Sequence, residues 1–503
     1  MLAATPASAL ILHPRRFSIF SSPPQPSKNW PRPTFLRCLR NSFPSVRLQI
    51  SVWRSDGPQG AAARPEGRKQ SLVKAIGIDF GTTNSALALA RPDGTVQLAR
   101  FKGEATFRSI LYFDEHDGAR TSKLRVVAGP DAIQSYLNAK TPGRLIQSMK
   151  SYLASRLFNQ TQIMGETYSL EELIGILLRY LRQSAEAEFG NLGSKLVVGR
   201  PVHFSGTQDK ADDEFAVNRL RAAFGNAGFE HVHFLPEPVA AAYKYQRQLD
   251  HDELVLIADF GGGTSDFSLV QLQAQSSSAG KAQSSVIGTD GVGIAGDTFD
   301  SKLVRSLVAP MLGLGSKYKS QFGKILPVPN WLYEHLERWH YLSFLKTRKN
   351  MELLRRIRSQ ALEPQKIDAL IDLVDHDLGY RLSQSIEHTK CALSDDTQTE
   401  FRFEEATVAI EKPISRPQFE GWIDPEFSQI SRCVDRLLTA SGVASQDVDA
   451  VFMTGGSSLV PAIRKLFAQK FGAETPIRAG QEFTSVAEGL AIHALELWTE
   501  SSV

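Results

Sequence analysis

The sequence feature that most constrains the fold is a strand, a glycine turn and a second strand within residues 254–270. Five apolar residues lead into an acid, Asp259, which is followed by Phe260, three glycines and Thr264. Glycines let backbone N–H groups close around a large anion without an intervening side chain, so the turn suits a phosphate chain. Taken alone, the pattern fits an ordinary β-hairpin better.

A second copy of this layout lies near the start of the predicted folded region. Residues 75–87 again end a short strand with an Asp-Phe-Gly triplet that begins at Asp79, and hydroxyl side chains follow. Two copies predict a duplicated α/β fold. In such a fold the two turns can face each other across a cleft, where Asp79 and Asp259 could together hold one hydrated Mg²⁺.

The first 70 residues differ in composition from the rest. They contain 11 Lys and Arg but two acids, a net charge of +9, whereas the other 433 residues carry −6. An acid-poor start rich in Arg and Ser is typical of an organellar transit peptide, and a disordered extension fits the same residues. We favour the extension and a cytoplasmic protein. The arginines are dispersed rather than clustered, so no nucleic-acid partner is expected.

Composition argues against several other classes of protein. No window approaches the roughly 18 uncharged apolar residues of a membrane span, so no membrane partner is expected. Cys38, Cys391 and Cys433 are too few and too scattered for a disulfide framework or a zinc site. His231 and His233 share one face of a predicted strand, but without a third ligand nearby they do not predict a metal site.

The usual rival nucleotide motifs fail. No Gly-Lys pair is followed by Ser or Thr, which excludes a Walker loop, and no His-Arg-Asp triplet accompanies the Asp-Phe-Gly triplets, which argues against a protein kinase. Residues 291–296 match the dinucleotide fingerprint, but no acid lies between Asp300 and Glu334, where that fold needs one. These glycines therefore predict another phosphate-facing turn.

Local patterns predict several helices. Apolar spacing predicts a helix over residues 144–157 with Lys150 on its flank, and Ser169 followed by Glu172 predicts a capped helix start. Residues 303–393 are predicted to be a long helical insertion. It holds aromatic and basic residues that indicate either a partner surface or a subdomain with its own core and a solvated face, and we favour the subdomain. The residues are Trp331, Tyr333, Trp339, Tyr341, Phe344, Lys346, Arg348, Lys349, Arg355, Arg356 and Arg358.

Five segments in order resemble the nucleotide-site motifs of the actin-like ATPase superfamily, in the version carried by DnaK-type heat-shock chaperones. The resemblance spans residues 74 to about 497. The enlarged helical stretch before Lys390, and the end of the sequence after the last helix, look most like the bacterial YegD-like branch, which has an ATPase domain and no peptide-binding domain. The segments are residues 78–85, 235–242, 259–268, 296–300 and 451–461.

This resemblance implies a duplicated actin-like, ribonuclease H-like ATPase fold with two lobes around a nucleotide cleft. Residues 71–250 are expected to form the first lobe, and residues 251–503 the second, with the helical insertion at 303–393. ATP or ADP with Mg²⁺ is the implied ligand. A protein client or partner and a monomeric state are expected.

The resemblance also implies roles for individual residues. Asp79 and Asp259 would position Mg²⁺ through water. Lys150 would hold the attacking water, with Glu237 beside it. The residues expected to contact the nucleotide are Gly81, Thr82, Thr83, Asn84, Gly261, Gly262, Gly263, Thr264, Gly296, Gly455, Gly456 and Ser457 around the phosphates, with Glu387, Lys390 and Ser394 around the nucleoside.

Two residues depart from the family pattern at the nucleoside. Cys391 and Leu459 stand where the chaperones carry the two arginines that sandwich the adenine, so cation–π stacking is lost on both faces of the base. An apolar slot can still hold a purine.

Several functions therefore stay open. The first is a slowly hydrolysing, chaperone-like ATPase whose nucleotide state sets a partner surface. The second is a nucleotide-gated scaffold that binds ATP without turnover. A small-molecule kinase of the same superfamily and a filament-forming protein are weaker alternatives.

Overall fold

The computed structural model describes residues 74–116, 123–139, 143–274, 284–338, 341–480 and 483–500. The predictions for residues 1–70, Cys38 and Trp339 fall outside these ranges. The described residues belong to one unit, which spans residues 70–503.

The first half of the described chain builds one mixed sheet with helices and smaller sheets around it. The strands are β1 (Ala75–Phe80), β2 (Asn84–Ala90), β3 (Val96–Leu98), β4 (Phe107–Arg108), β5 (Ile110–His116), β6 (Lys123–Ala128), β7 (Arg144–Gln147), β8 (Gln160–Ile163), β9 (Glu166–Ser169), β10 (Lys195–Arg200) and β11 (His231–Pro236). The helices are α1 (Pro130–Leu137), α2 (Leu170–Phe189), α3 (Lys210–Asn226) and α4 (Glu237–Gln246).

The second half builds another mixed sheet and a larger set of helices. The strands are β12 (Glu253–Phe260), β13 (Ser265–Leu272), β14 (Ser285–Val292), β15 (Lys317–Lys319), β16 (Ile325–Pro327), β17 (Gln398–Glu405), β18 (Val408–Ser415), β19 (Ala450–Thr454) and β20 (Ile477–Ala479). The helices are α5 (Gly296–Leu303), α6 (Trp331–Glu337), α7 (Leu342–Leu345), α8 (Arg348–Gln360), α9 (Pro364–Asp375), α10 (Gly379–Asp395), α11 (Arg416–Ser441), α12 (Pro461–Phe471) and α13 (Ser485–Glu500).

The two main sheets repeat one topology, which confirms the predicted duplication. The first runs in the order β11-β10-β1-β2-β3, and the second in the order β20-β19-β12-β13-β14. In each, an antiparallel hairpin (β1–β2 or β12–β13) has a parallel strand on its other side, β10 or β19. The central strands are buried on both faces, which explains their almost unbroken apolar runs.

Helices α4 and α13 lie in the core that joins the two sheets. This core contains small side chains from both halves, among them Ala75, Ala240 and Ala450. A Cβ atom at Gly489 would lie 1.7 Å from the Ala240 carbonyl oxygen, and one at Gly77 would lie 2.3 Å from the Ala491 nitrogen. The lobes are therefore joined by closely packed backbone, which demands glycine and alanine at the contacts.

The prediction of a helix over residues 144–157 is wrong. These residues form β7, which pairs with β5, and then a single 3₁₀ turn, Met149–Tyr152. Leu145 and Ile146 pair opposite Tyr112 and Leu111, so sheet pairing satisfies the apolar residues that suggested a helical stripe. Tertiary pairing thus overrides a short, ambiguous pattern.

The region 303–393 is mainly helical but also contains an unpredicted hairpin, β15–β16. Its helices pack around a core that includes Tyr333. Much of its basic face is neutralised by local ion pairs, as expected for a solvated subdomain surface. These pairs are Arg348–Glu352, Arg355–Asp375, Arg358–Asp368 and Lys346–Asp377.

Four local features concern the start of α2, two histidines, two cysteines and the length of the helices. The capping box at Ser169 and Glu172 is present at the start of α2. His231 and His233 are both exposed on β11. Cys391 is an exposed free thiol and Cys433 a buried one. In the part of the chain that the structure describes, no helix is both long and apolar enough to cross a membrane.

Candidate functional site

A cleft of about 600 Å³ lies between the two lobes and receives the ends of both hairpins. This volume is within the range of small-molecule sites. Its walls carry glycine turns at one end and charged and apolar side chains at the other. We call these the phosphate end, after its predicted ligand group, and the nucleoside end.

The two hairpin turns face each other across the phosphate end. A Cβ atom at Gly262 would lie 3.0 Å from the Thr83 hydroxyl oxygen, and one at Gly263 would lie 3.5 Å from that of Thr82. The turns are also tightly folded, because a Cβ at Gly81 would lie 2.1 Å from the Asn84 carbonyl oxygen. Side chains larger than hydrogen would fill the space between the turns, so these glycines keep open a backbone-lined cradle.

Two further turns from the second lobe complete the cradle. The Asp297 N–H donates to the Gly262 carbonyl oxygen (2.8 Å) at the start of α5. The Ser457 hydroxyl donates to the Gly261 carbonyl oxygen (3.2 Å). Gly455 has a φ of 83°, and a Cβ there would lie 2.1 Å from the Phe260 carbonyl oxygen, so glycine is needed for both conformation and space.

Lys150 and Glu237 form a buried ion pair at the same end. The Lys150 Nζ donates to Glu237 Oε1 over 2.6 Å, and the two side chains are 10% and 7% exposed. Burial acts to lower the pKa of Lys150, but the attraction of Glu237 and Asp79 outweighs it and the pKa is raised. Lys150 is therefore held as a charged ammonium facing the cleft.

Three aspartates lie close to this pair; Asp259 and Asp266 are buried and Asp79 is half-buried. Asp79 ends β1, Asp259 ends β12, and Asp266 on β13 pairs in register with Asp259. Burial and then the negative charge of Glu237 raise the pKa of Asp79 to about 7 and that of Asp266 to about 7. The same two causes raise the pKa of Asp259. The positive charge of Lys150 lowers each pKa but does not cancel the repulsion.

This excess of buried carboxylate fits a hard divalent cation. Mg²⁺ is commonly held by one or two carboxylates, several waters and substrate phosphates. Among the described residues, no group of three or more His, Cys, Asp and Glu side chains could hold a metal ion directly. Asp79 and Asp259 could thus hold a hydrated ion, but not an all-protein metal cage.

The nucleoside end is built from side chains. Lys390 on α10 pairs with Asp300 (2.8 Å), and Glu387 one turn earlier pairs with Arg108 from the first lobe (3.2 Å). Ser394 is not among the residues that line the cleft, and its hydroxyl donates to the Lys390 carbonyl oxygen (3.3 Å).

Apolar groups share this end. Leu459 and Phe483 line the cleft and remain 41% and 49% exposed, and Cys391 also lines the wall. The Phe483 ring lies against the turn, because a Cβ at Gly456 would be 2.8 Å from its Cε1 atom. Large exposed apolar side chains inside a polar cleft suit a flat, apolar ligand group.

Almost all predicted site residues are brought together. The cleft is lined by Asp79, Gly81, Thr82, Thr83, Asn84, Lys150, Glu237, Asp259, Gly261, Gly262, Gly263, Thr264, Gly296, Glu387, Lys390, Gly455, Gly456 and Ser457. The sequence reasoning missed Asp266, Arg108, Asp300 and Phe483. Asp266 had a signal, since it is the one acid in the predicted second strand of the hairpin, two residues after Thr264. Asp300 lies within the motif segment 296–300, whereas Arg108 and Phe483 lie more than 20 residues from the nearest turn and carried no local signal.

Comparison with known proteins gives one consistent result. A family model described as Hsp70 protein matches residues 75–312 and 352–502 and leaves residues 313–351 between the two matched parts. The chain is 27% identical to the chaperone protein DnaK of Thermosipho africanus over 422 residues, which are 83% of this chain and 58% of that protein. It is 25% identical to DnaK of Thermus thermophilus over 435 residues, 84% of this chain and 61% of that protein.

The chain spans about three-fifths of the length of these curated relatives. The YegD-like assignment stays a prediction. The family match covers well over half of the chain, and the duplicated sheets with a cleft between them agree with it. The chain therefore belongs to the Hsp70 protein family and has its two-lobed, actin-like ATPase fold.

Proposed function

We propose that the chain binds ATP with Mg²⁺, hydrolyses it slowly, and uses its nucleotide state to change lobe closure and the binding of a protein client, as a chaperone does. The observation that carries this proposal is the meeting of two glycine turns and their two acids beside the Lys150–Glu237 pair. The family assignment supports it, since the named relatives are chaperones.

In this proposal the four turns bind the phosphates. Backbone N–H groups of Gly81 and of residues 261–263, with the hydroxyls of Thr82 and Thr83, would take the phosphate oxygens. Asp79 and Asp259 would hold Mg²⁺ through water, and the ion would supply positive charge to the phosphate oxygens. Binding would also relieve the repulsion among the buried carboxylates.

Hydrolysis would depend on the Lys150–Glu237 pair. Phosphoryl transfer mainly requires an in-line water and neutralisation of charge on the phosphoryl oxygens. Lys150, kept charged by Glu237, can donate to that water or to a phosphoryl oxygen. Glu237 accepts from Lys150 and fixes the direction of its ammonium. Both residues thus act by position and charge rather than by covalent chemistry.

A second candidate function is a nucleotide-gated scaffold that binds ATP without turnover. The replacement of both adenine-stacking arginines by Cys391 and Leu459 favours it, because altered base binding shifts the nucleotide relative to Lys150. In either function, movement of the lobes about the α4 and α13 core would present a different surface to a partner.

A single-turnover assay tests the first function against the second. Labelled ATP, limiting relative to the protein, and Mg²⁺ are mixed with an excess of wild type, Asp259→Asn, or the matched exposed control Asp250→Asn. We expect slow, Mg²⁺-dependent ADP formation that falls by about 100-fold or more in Asp259→Asn and is unchanged in the control. Release of unchanged ATP would support the scaffold instead, and failure to bind ATP would contradict both.

The client part of the proposal needs its own measurement. Pull-downs with ATP-loaded and ADP-loaded protein should recover a partner in one state in preference to the other. Equal recovery in both states would contradict the nucleotide switch.

A further inference from the structure

The segment that the family model leaves unmatched, residues 313–351, reaches into the cleft. Arg338 and Tyr341, which flank residues 339–340 between α6 and α7, both line its wall. The Tyr341 N–H donates to the Arg338 carbonyl oxygen (2.7 Å), and Arg338 Nη1 lies 3.5 Å from the Tyr341 hydroxyl oxygen, to which it donates. Tyr341 is thus held in a defined position at the edge of the cleft.

This end of α6 is attached to the helix that starts at the phosphate turns. The Ser301 hydroxyl on α5 donates to the Glu337 carbonyl oxygen (3.0 Å). The Glu337 carboxylate pairs with Arg305, which follows α5. Helix α5 begins at Gly296, beside the Gly262 turn. The same helix therefore contacts both the phosphate end of the cleft and the end of α6.

Tyr341 meets the first lobe at Tyr152. The two ring centroids lie 6.0 Å apart with a 59° angle between the planes, so the aromatic rings are in contact. Burial and then a side-chain hydrogen bond with Tyr341 raise the pKa of Tyr152. The contact joins the two halves of the described chain, because Tyr152 follows β7 of the first half and Tyr341 lies in the second.

Tyr152 is the last residue of the 3₁₀ turn that carries Lys150. The turn follows Ser148, a non-glycine residue with a φ of 58°, and is therefore a locally constrained piece of backbone. Further supports of the turn include the Phe158 ring, 4.9 Å from that of Tyr152, and Arg219, whose Nη1 donates to the Tyr152 carbonyl oxygen (3.4 Å). Tyr341 supports the same turn from the opposite lobe.

We propose that Tyr341 is a positioning residue for Lys150, supplied by the segment that lies outside the family match. Its contact with Tyr152, ring against ring, ties the segment to the Lys150 turn and sets the place of the ammonium when the lobes are closed. The catalytic part of this inference rests on the proposed ATPase function, whereas the link between the lobes does not.

A double-mutant cycle tests the link. Tyr341→Phe, Tyr152→Phe and the double variant each remove one or both hydroxyls while keeping the rings. Tyr318→Phe is the matched control, because Tyr318 lies in the same segment but not in the cleft wall. The first readout needs no ATP hydrolysis: the alkylation rate of Cys391 in ligand-free protein, measured by mass spectrometry of its peptide, with buried Cys433 as internal reference.

We expect each single variant and the double variant to raise the Cys391 alkylation rate by the same factor, about three- to tenfold, which corresponds to one hydrogen bond. The same three variants should lower kcat for ATP by a similar factor with a smaller change in KM, since the lost contact positions Lys150. Tyr318→Phe should match wild type in both readouts.

Two results would overturn the inference: an alkylation rate unchanged in Tyr341→Phe, or single-variant effects that multiply in the double variant. Equal alkylation effects with an unchanged kcat would overturn the positioning role for Lys150. If wild type itself fails to hydrolyse ATP, the proposed ATPase function and this role fail together, and the alkylation cycle alone decides whether the link between the lobes exists.

Discussion

The two ends of the cleft are built by different means. At the phosphate end, backbone turns from both lobes approach closely around buried acids and one buried lysine. At the nucleoside end, the walls are side chains: the Arg108–Glu387 and Lys390–Asp300 ion pairs, with Leu459 and Phe483 beside them. Backbone geometry depends on a few glycines, whereas a side-chain wall can change one residue at a time.

This difference explains where the chain departs from its family resemblance. The turns keep the glycines because Gly81 and Gly455 have no room for a Cβ atom. Cys391 and Leu459 occupy open positions in the wall, where a change of side chain leaves the backbone intact. We therefore expect variants at the phosphate end to act on hydrolysis, and variants at the nucleoside end to act on affinity and base preference.

The largest effect is expected for Lys150→Ala. Loss of the ammonium leaves Glu237 and the aspartates without their shared positive partner, so kcat should fall by about 100-fold or more. Lys150→Arg should not restore it, because a planar guanidinium does not fit the 10%-exposed site. Steady-state Mg²⁺-ATPase assays measure this, with exposed Lys324→Ala as control. A kcat within threefold of wild type would contradict the assigned role.

Phe483→Ala should have a smaller effect and should separate the two ends. Stacking of a base on an aromatic ring is worth about 1–3 kcal/mol, so the Kd for ATP should rise by roughly tenfold. Binding of inorganic tripolyphosphate, which has no base, should not change. Calorimetric titrations of both ligands measure this, and Phe322→Ala, which removes a 90%-exposed ring outside the cleft, is the control. An equal loss of affinity for ATP and for tripolyphosphate would contradict the division of the cleft into a phosphate end and a nucleoside end.

Replacing Cys391 and Leu459 by arginine should strengthen the binding of the base at the nucleoside end. The double variant Cys391→Arg with Leu459→Arg places a cation where the resemblance expects one on each face of the base. Cation–π stacking contributes about 0.5–1 kcal/mol at an exposed site, so ATP affinity should rise by a few-fold. Single variants should give part of the gain. Unchanged or weaker binding would show that Phe483 already determines how the base lies.

The last prediction concerns stability rather than ligand binding or catalysis, and it is a dependence on pH. The raised pKa of Asp79, about 7, means that the folded, ligand-free protein binds a proton that the unfolded chain has released above pH 4. This contribution to stability is present below the unfolded pKa and is lost as the pH rises through about 7. Asp79→Asn lacks the titration, so its Tm relative to wild type should increase between pH 5 and pH 8. A constant difference would contradict the assignment.

Much of the fold and of the phosphate end could be predicted from sequence because the signals are local. An apolar run that ends in an acid and glycines specifies a buried strand and a tight turn through neighbouring residues. The capping box at Ser169 is local in the same way. The wrong prediction, a helix over residues 144–157, failed because a non-local contact decides the structure there: these residues form a strand and a turn because they pair with β5. The β15–β16 hairpin was missed because it had no strong turn signal.

The sequence by itself determined the duplicated plan, the two acids and the glycine turns, since each is written within a few consecutive residues. Tertiary structure alone decided that Arg108 would reach Glu387 and that Phe483 would lie over the Gly456 turn. It also brought Tyr341 to the turn of Lys150. These contacts join residues far apart in the chain, and their energies depend on burial and distance, which no local pattern specifies.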